Sequence, residues 1–365
     1  MILMNDFKAE PHALLEAQIR AVRRVLESGW YILGREVDEF ERVWAERCGV
    51  PFAVGVGNGM DAIEMGLRAL DIGPGDEVIT TPMTAFATVL AILRAGATPV
   101  LADVKSTTAL LDPESVARCI SPQTRAIVLV HLYGRVADLD QWEALCWDAG
   151  IALVEDCAQA HLARWRGQMA GSFGVFGAWS FYPTKNLGAV GDAGALTTNN
   201  DTIAERVRVL RNYGQGQRYH HVDLGLNSRL DEVHAAILME RLAWLDEFTE
   251  RRRAVAHAYY EGIDNSRIQM LVPPAEEENH VHHLFVLNVA ERDRLGEHLR
   301  GCDVQNLSHY PVPIHRQAPC RDLRIDPMGL PNAEQHAATC LSIPCHPQLS
   351  NVDVARVIEV VNAFR

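Results

Sequence analysis

Residues 50–160 alternate between two hydrophobic patterns, one typical of buried strands and one of helices. Short apolar runs rich in Val, Ile and Leu stand at 77–80, 98–102, 126–130 and 151–154, which indicates strands buried on both faces. Between these runs, apolar residues recur at helical spacing over 61–70, 84–94 and 139–149, and Gly96 and Gly150 follow the last two, as is usual at helix C-termini. This order predicts an α/β fold in which crossover helices wind a mostly parallel sheet.

The pattern changes in the second half of the chain. A long, charge-laced helical region runs from 228 to about 260, an apolar strand follows at 284–289, and a last helix spans 352–364. We therefore predict a large domain over residues 1–245, including the N-terminal segment, and a smaller α+β domain over 246–365. A chain of 365 residues is long enough for both.

Composition narrows the classes of partner. The formal net charge of −13 argues against nucleic-acid or acidic-membrane binding, which requires an excess of Lys and Arg. The eight cysteines include no C-x-x-C pair, no apolar run approaches the ~20 residues of a membrane helix, and the charged start is unlike a signal peptide. We expect a cytoplasmic protein with reduced thiols.

Lys185 is the strongest candidate for chemistry. It is the only Lys or Arg between Arg166 and Arg206, and its neighbours are mostly small or aromatic. Desolvation drives a lysine toward the neutral amine that attacks an aldehyde. The local run alone is equally compatible with a lysine whose stem covers apolar surface.

Two further segments lie where ligands bind in open α/β sheets, beyond the carboxyl ends of the strands. The glycine-rich run 55–62 opens a helix and favours a phosphate loop over an ordinary turn, although it fails as a dinucleotide fingerprint. Asp156 follows an apolar strand, where a carboxylate can keep a pyridine nitrogen protonated. Taken alone, Asp156 is more simply a helix or turn cap.

Together these motifs resemble the DegT/DnrJ/EryC1/StrS family of pyridoxal-phosphate-dependent sugar aminotransferases. The matching segments, in family order, are 26–37, 55–62, 73–78, 96–100, 131–134, 155–161, 180–188, 226–232 and 309–317. Any one of them can arise by chance, whereas nine in order make the resemblance specific. It implies the aspartate-aminotransferase type I fold, with a large α/β/α domain and a smaller C-terminal domain.

The resemblance also implies site residues. Lys185 would form the Schiff base with pyridoxal 5'-phosphate and move the proton, Asp156 would pair with the pyridine nitrogen, and Gln159 would bond the phenolic oxygen. The phosphate would be held by Gly59, the Met60 backbone, Ser180 and, from the partner subunit of a homodimer, Asn227. Two positions depart from the family: Met60 replaces a common Thr or Ser, and Ala85 stands where many members stack an aromatic ring. Two alternatives stay open: Phe86 stacks on the ring instead, or small residues cover that face.

The implied reaction is transamination, in which two substrates react with the cofactor one after the other. Glutamate would convert the cofactor to pyridoxamine 5'-phosphate, which would then aminate the keto group of a dTDP- or UDP-linked sugar, with C3 favoured over C4. The substrate-binding candidates are Arg229, Tyr182, His309, Tyr310 and His315, and further cations for the diphosphate are Arg211, Arg218, His220 and His221. Such products enter surface polysaccharides or glycosylated natural products.

Three other functions compete with this interpretation. A pyridoxamine-dependent dehydratase would replace Lys185, typically with histidine, and is therefore disfavoured. A keto-inositol aminotransferase and a non-catalytic, cofactor-binding regulatory protein stay open. We expect no metal site: His282 and His283 precede a strand, where alternation sends them to opposite faces, without a carboxylate or cysteine at ligand spacing.

Overall fold

The computed structural model describes residues 1–365. Its α-helices are α1 (His12–Ser28), α2 (Arg35–Cys48), α3 (Gly59–Ala69), α4 (Phe86–Arg94), α5 (Pro113–Cys119), α6 (Leu139–Ala149), α7 (Asp201–Leu210), α8 (Glu232–Leu242), α9 (Leu245–Gly262), α10 (Arg292–Gly301), α11 (Pro331–Thr339) and α12 (Asn351–Asn362). The first strands are β1 (Phe52–Val56), β2 (Glu77–Thr80), β3 (Thr98–Leu101), β4 (Thr124–Val130), β5 (Ala152–Asp156), β6 (Arg164–Trp165), β7 (Gln168–Met169) and β8 (Phe176–Ser180). The others are β9 (Gly194–Thr198), β10 (Gln215–Gln217), β11 (His220–His221), β12 (Gln269–Met270), β13 (Phe285–Asn288), β14 (Arg324–Ile325) and β15 (Cys340–Ile343).

An eight-stranded sheet forms the centre of the molecule, in the order β1-β9-β8-β5-β4-β2-β3-β14. Strand β9 pairs antiparallel with both of its neighbours, and the strands from β8 to β14 pair in parallel. The mostly parallel α/β sheet predicted from the hydrophobic pattern is therefore confirmed. Its parallel strands direct their carboxyl ends to one edge, where a ligand site is expected.

Helices cover both faces of this sheet. On one face, α3 and α7 contribute to an apolar cluster that contains Ile63, Phe176 and Val207. Gly66 permits the close approach of α3, because a Cβ atom there would lie 2.3 Å from the Phe176 ring. The opposite face carries a larger cluster of 56 buried residues, which includes Phe40 and Trp44 from α2. The central strands are thus apolar on both sides.

A second core lies in the C-terminal part of the chain. Strands β12, β13 and β15 form an antiparallel sheet, and Tyr259, Phe285 and Val357 are buried in one cluster of 19 residues with it. Ile2 bridges to Val304, and β14 pairs with β3 of the large sheet. The division into 1–245 and 246–365 stays a prediction. No helix of the structure is long and apolar enough to cross a membrane.

The structure corrects two details of the predicted elements. The helical region after residue 228 is two helices, α8 and α9, separated at Ala243 and Trp244. Helix α4 begins at Phe86 rather than at Thr84, because Ala85 is extended, with φ −61° and ψ 143°. This later start leaves Thr84 outside the helix, next to the carboxyl edge of the sheet.

Candidate active site

Asp156 ends β5, at the carboxyl edge of the sheet. Strand β5 pairs in parallel with β8, with Asp156 opposite Ala178, so the residues that follow β8 lie beside it. The Asp156 carboxylate is 7% exposed. Its Oδ2 accepts a 2.8 Å hydrogen bond from Thr88 Oγ1, and its Oδ1 accepts one of 3.1 Å from the Ala158 N–H. The carboxylate is thereby fixed in orientation, with lone pairs left for another donor.

Thr84 and Thr88 form the support of this carboxylate. Their hydroxyl oxygens lie 2.8 Å apart, and Thr88 gives its proton to Asp156. Thr84 must therefore donate to Thr88, since a hydroxyl has a single proton. Sequence reasoning missed both residues, although their spacing of four at a helix start was a usable signal.

A buried pair of side chains, His131 and Glu155, lies next to Asp156 at the end of β5. Glu155 and His131 are fully buried, with 2.9 Å between Oε2 and Nε2. Glu155 also accepts backbone N–H groups from Gly171, Phe173 and Gly174. Burial opposes ionisation of Glu155, but the hydrogen bonds from His131 and the backbone outweigh it and lower the pKa. Glu155 thus ties β5 to the loop before β8 and has no capacity left for a metal ion.

Lys185 lies on the loop that follows β8. Backbone hydrogen bonds from Phe181 to Ala193, from Ala189 to Phe181 and from Lys185 to the Tyr182 carbonyl close this loop. Burial lowers the pKa of Lys185 to about 8, while the negative charge of Asp156 opposes the shift. A substantial fraction of the side chain is therefore a neutral amine near pH 8, as a nucleophile and proton acceptor requires.

Three histidines close to Lys185 stay neutral. Burial and the Lys185 charge lower the pKa of His161 to about 3 and that of His283 well below its usual value. The same causes, in the same order, lower the pKa of His309 to about 4. His283 Nδ1 lies 3.1 Å from Asn186 Oδ1, next to Lys185 in the chain. Asp156 is consequently the anion whose charge supports the protonated form of Lys185.

The N-terminus of α3 meets the end of β8. A Cβ atom on Gly59 would lie 2.8 Å from Ser180 Cβ, so glycine is required for this approach. The first N–H groups of a helix have no intrahelical acceptor, and Gly59, the first residue of α3, lies beside Ser180. The Met60 side chain packs against the apolar cluster under α3. Donors from the helix end and Ser180 together suit a phosphate.

Gln159 follows Asp156 on the same loop and is 7% exposed. Its Oε1 accepts a 2.5 Å hydrogen bond from the Tyr133 N–H, and its Nε2 lies 3.5 Å from the Tyr310 hydroxyl. Burial and the charge of Asp156 raise the pKa of Tyr310 to about 12. The amide NH₂ of Gln159 is therefore available to an acceptor in the site, and Tyr310 borders it.

The other predicted site residues lie at different distances from Lys185. His309 Nδ1 lies 2.8 Å from Ser342 Oγ, close enough to Lys185 to feel its charge. Tyr182 is 51% exposed on the Lys185 loop, and Phe86, at the start of α4, packs partly buried against the main core. His315 Nε2 lies 3.0 Å from Glu334 Oε1, a carboxylate that Arg316 also contacts.

The cations nominated for a diphosphate fall into two groups. Arg211 is buried and contacts Glu41, and its Nη1 donates 2.8 Å to the Gly55 carbonyl, so it supports the glycine-rich loop from below. Arg229 donates to Asn212 Oδ1 at 3.0 Å and stacks on the Tyr213 ring. Arg218, His220 and His221 are exposed on the hairpin β10–β11, and the Asn227 side chain is also exposed. The structure does not bring this second group to Lys185 within one chain.

These residues fit pyridoxal phosphate. The amine of Lys185 suits the aldehyde, the fixed Asp156 carboxylate suits a protonated pyridine nitrogen, and the NH₂ of Gln159 suits the phenolic oxygen. The close approach of Gly59 and Ser180 leaves helix N–H groups for the phosphate. Each functional group of the cofactor thus has a chemically matched partner at one edge of the sheet.

Comparison with known families shows which family the chain belongs to. Residues 13–362 match the DegT/DnrJ/EryC1/StrS aminotransferase family. The chain belongs to that family. It is accordingly a pyridoxal-phosphate-dependent aminotransferase, and the family resemblance, the fold type and the cofactor predicted from the sequence are confirmed.

Relatives of known name cover nearly the whole protein. A dTDP-3-amino-3,4,6-trideoxy-alpha-D-glucose transaminase of Streptomyces venezuelae is 44% identical over 360 residues, covering 98% of this chain and 95% of the relative. A dTDP-3-amino-3,6-dideoxy-alpha-D-galactopyranose transaminase of Aneurinibacillus thermoaerophilus is 45% identical over 345 residues, covering 94% of each. A third, named an erythromycin biosynthesis sensory transduction protein of Saccharopolyspora erythraea, is 44% identical over 344 residues, covering 94% of each.

Solved structures agree with the fold. DesV of S. venezuelae, crystallised in complex with a ketimine intermediate, superposes with a TM-score of 0.95 at 44% identity, covering 99% of this chain and 97% of DesV. NtdA of Bacillus subtilis, crystallised with pyridoxamine phosphate, superposes with a TM-score of 0.88 at 27% identity, covering 97% and 82%.

Proposed function

We propose that this aminotransferase moves the amino group of glutamate to the 3-keto group of a dTDP- or UDP-linked deoxy sugar. The observation that carries the proposal is the grouping of Lys185, Asp156 and Gln159 at one edge of the sheet. Support for the sugar comes from the two dTDP-3-amino-sugar transaminases, which are 44% and 45% identical to this chain.

In this proposal each residue has a stated task. When bound, pyridoxal phosphate supplies a carbonyl for the amino group and a ring that delocalises carbanion charge. Lys185 Nζ removes the α-proton of the amino donor and later delivers a proton to the sugar carbon that is aminated. Its pKa of about 8 lets it alternate between base and acid near neutral pH. Asp156, oriented by Thr88, keeps the pyridine nitrogen protonated.

The binding roles follow the same geometry. Gly59, the Met60 N–H and Ser180 hold the phosphate, with Gln159 on the phenolic oxygen and Phe86 as the ring-stacking candidate. On the acceptor side we assign His309 and Tyr310 to the sugar, with Tyr182, Arg229 and His315 as further contacts. Because Asn227 is exposed in one chain, we assign it to the phosphate of the partner subunit in a homodimer. Exposed apolar side chains near it, among them Tyr219 at 77% and Leu224 at 86% exposure, support such an interface.

A substrate panel tests the reaction. The pyridoxamine-phosphate form is mixed with dTDP- and UDP-linked 3-keto and 4-keto sugars and with a keto-inositol, and return of the pyridoxal absorption is followed in a single turnover. We expect the fastest return with a dTDP-linked 3-keto sugar. Faster turnover of the keto-inositol, together with no protection from thermal unfolding by dTDP or UDP, would overturn the choice of substrate.

The relative named as a sensory transduction protein favours a second candidate, a cofactor-binding regulator. The same residues would then hold pyridoxal phosphate without turnover. Glutamate addition separates the two: an aminotransferase loses its pyridoxal absorption within the mixing experiment, whereas a regulator retains it.

A further inference from the structure

Tyr133 connects two parts of the site that belong to different regions of the chain. It follows β4 and is 1% exposed. Its backbone N–H donates to Gln159 Oε1 at 2.5 Å. Its hydroxyl donates to the His309 carbonyl and lies 2.8 Å from His336 Nε2. One residue thus contacts the loop after β5 and the segment that precedes β15.

The backbone at Tyr133 and Gly134 has positive φ angles, and this turn makes both contacts possible. The φ of Tyr133 is 63°, a left-handed conformation that residues other than glycine adopt rarely. The next residue, Gly134, has a φ of 92°, and a Cβ there would lie 2.7 Å from the Gln159 carbonyl oxygen. The Tyr133–Gly134 turn is therefore packed directly on Gln159, while the phenol reaches His309 and His336 of α11.

Proton counting gives the chain of hydrogen bonds a direction. A carbonyl only accepts, so the single hydroxyl proton of Tyr133 goes to His309 O. The hydroxyl must then accept from His336, which carries its proton on Nε2. Burial lowers the pKa of His336 to about 4 and raises that of Tyr133, so both groups stay neutral in the working range. The order of donation is His336 to Tyr133 to His309.

We propose that Tyr133 is a positioning residue that holds Gln159 against the cofactor and the His309–Tyr310 segment against the sugar at one fixed separation. Gln159 Oε1 is occupied by the Tyr133 N–H, so only its NH₂ side can face the phenolic oxygen. The same NH₂ lies 3.5 Å from the Tyr310 hydroxyl. The inference rests on the proposed function, because that function assigns Gln159 to the cofactor and His309 to the acceptor.

The test compares two buried tyrosines. Tyr133→Phe removes the hydroxyl contact, and Tyr259→Phe is the matched control, since Tyr259 donates to the Pro344 carbonyl at 2.6 Å in the C-terminal core. Both variants lose one hydroxyl-to-carbonyl hydrogen bond, and Tyr133→Phe also leaves His336 Nε2 without its acceptor, so we expect a loss in Tm in both and a larger one in Tyr133→Phe. For Tyr133→Phe we expect the sugar KM to rise by about 5- to 10-fold, as loss of one hydrogen bond implies. The rate of the glutamate half-reaction should stay within about twofold of the wild type.

A binding measurement gives a second readout without turnover. The dissociation constant of pyridoxamine phosphate, measured by dialysis, should rise severalfold in Tyr133→Phe and stay unchanged in Tyr259→Phe. His336→Gln keeps a donor near the position of Nε2 and should preserve both values, whereas His336→Leu should behave like Tyr133→Phe. These four variants separate positioning from a general loss of stability.

Defined results overturn the inference. Equal changes of the sugar KM and of the pyridoxamine-phosphate dissociation constant in the Tyr133 and Tyr259 variants would contradict the proposal. A change of only one of these two quantities in Tyr133→Phe would also contradict a residue that holds both elements together. Failure of the proposed sugar specificity is a different result, because it would appear in the wild-type enzyme as faster turnover of the keto-inositol than of the nucleotide-linked sugars. Cofactor dissociation and the glutamate half-reaction are measured without sugar and would still judge the cofactor side.

Discussion

The cofactor side of the site and the hairpin at residues 213–224 differ in how far their side chains are buried and hydrogen-bonded within one chain. Asp156 and Gln159 are each 7% exposed, and Thr88, Ala158 and Tyr133 supply their hydrogen bonds. On the hairpin, Tyr219, Val222 and Leu224 are between 73% and 86% exposed, beside the basic Arg218. The side chains of the cofactor side are buried and hydrogen-bonded within the chain. The hairpin, in contrast, presents an apolar and basic surface to solvent.

This difference in burial separates the groups that carry the reaction from the surface that contacts another chain. Groups that must be oriented to a fraction of an ångström are buried and supported by backbone N–H groups and hydroxyls. Exposed apolar side chains in one area indicate a surface that another chain covers. In our proposal the residues that carry transamination lie within one chain, while the phosphate contact of Asn227 depends on the dimer.

The largest expected effect is on the cofactor side. Lys185→Ala removes the amine that moves the proton, and turnover should fall by on the order of 10⁴-fold. Borohydride treatment of the wild type followed by mass spectrometry should show cofactor linked to Lys185, and the variant should show none. Lys105→Ala, at an exposed lysine, should retain wild-type activity. Full activity of Lys185→Ala would remove the basis of the mechanism.

The next effect concerns the hairpin surface. Leu224→Asp places a charge on a side chain that is 86% exposed in one chain, and burial of that charge in an interface is strongly unfavourable. We expect a monomer by sedimentation and activity at least ~10-fold lower at nanomolar protein, recovering with concentration. The control is Trp147→Asp, on α6, at a position that is also 86% exposed. This variant should keep the oligomer mass that the wild type shows by sedimentation. An active Leu224→Asp monomer would contradict a shared site.

A smaller effect should follow from loosening Asp156. Thr88→Val removes the 2.8 Å hydrogen bond to its carboxylate, and hydrogen bonds to charged groups contribute about 1.5–3 kcal/mol. We expect kcat to fall by roughly 10-fold, because the ring nitrogen is less firmly protonated. Thr249→Val is the control, since Thr249 donates to Leu245 O within α9. Unchanged kcat in Thr88→Val would show that Asp156 needs no such support.

The smallest effect is on the pH dependence of stability. Burial lowers the pKa of Lys185 from its usual 10.5 to about 8 in the folded chain. Between these values the unfolded chain binds more protons, so the stability of cofactor-free protein should rise with pH from about 8 to about 10.5. Urea unfolding across this range should show a steeper rise for wild type than for Lys185→Met. Equal slopes would mean that the amine is not desolvated.

Part of the site could be predicted from local sequence. Lys185, Asp156 and the glycine-rich loop were recognisable because each has a distinctive neighbourhood, and Asp156 also follows a predicted strand. Thr88 and Tyr133 make contacts with Asp156 and His309 that join residues 68 and 176 positions apart. Spacing within a segment can nominate a residue such as Thr88, but its partner is selected by packing and cannot be read from a local pattern.

The strand and helix periods of the sequence determined the parallel α/β sheet, since burial on both faces requires continuous apolar runs. The order of motifs determined the family, and with it the cofactor and the reaction. Only the tertiary structure decided that Arg211 supports the glycine-rich loop, that His315 contacts Glu334, and that Thr84 lies outside α4. Hydrogen bonds and ion pairs are satisfied by whichever group the fold brings within about 3 Å, and that distance is a property of the folded chain.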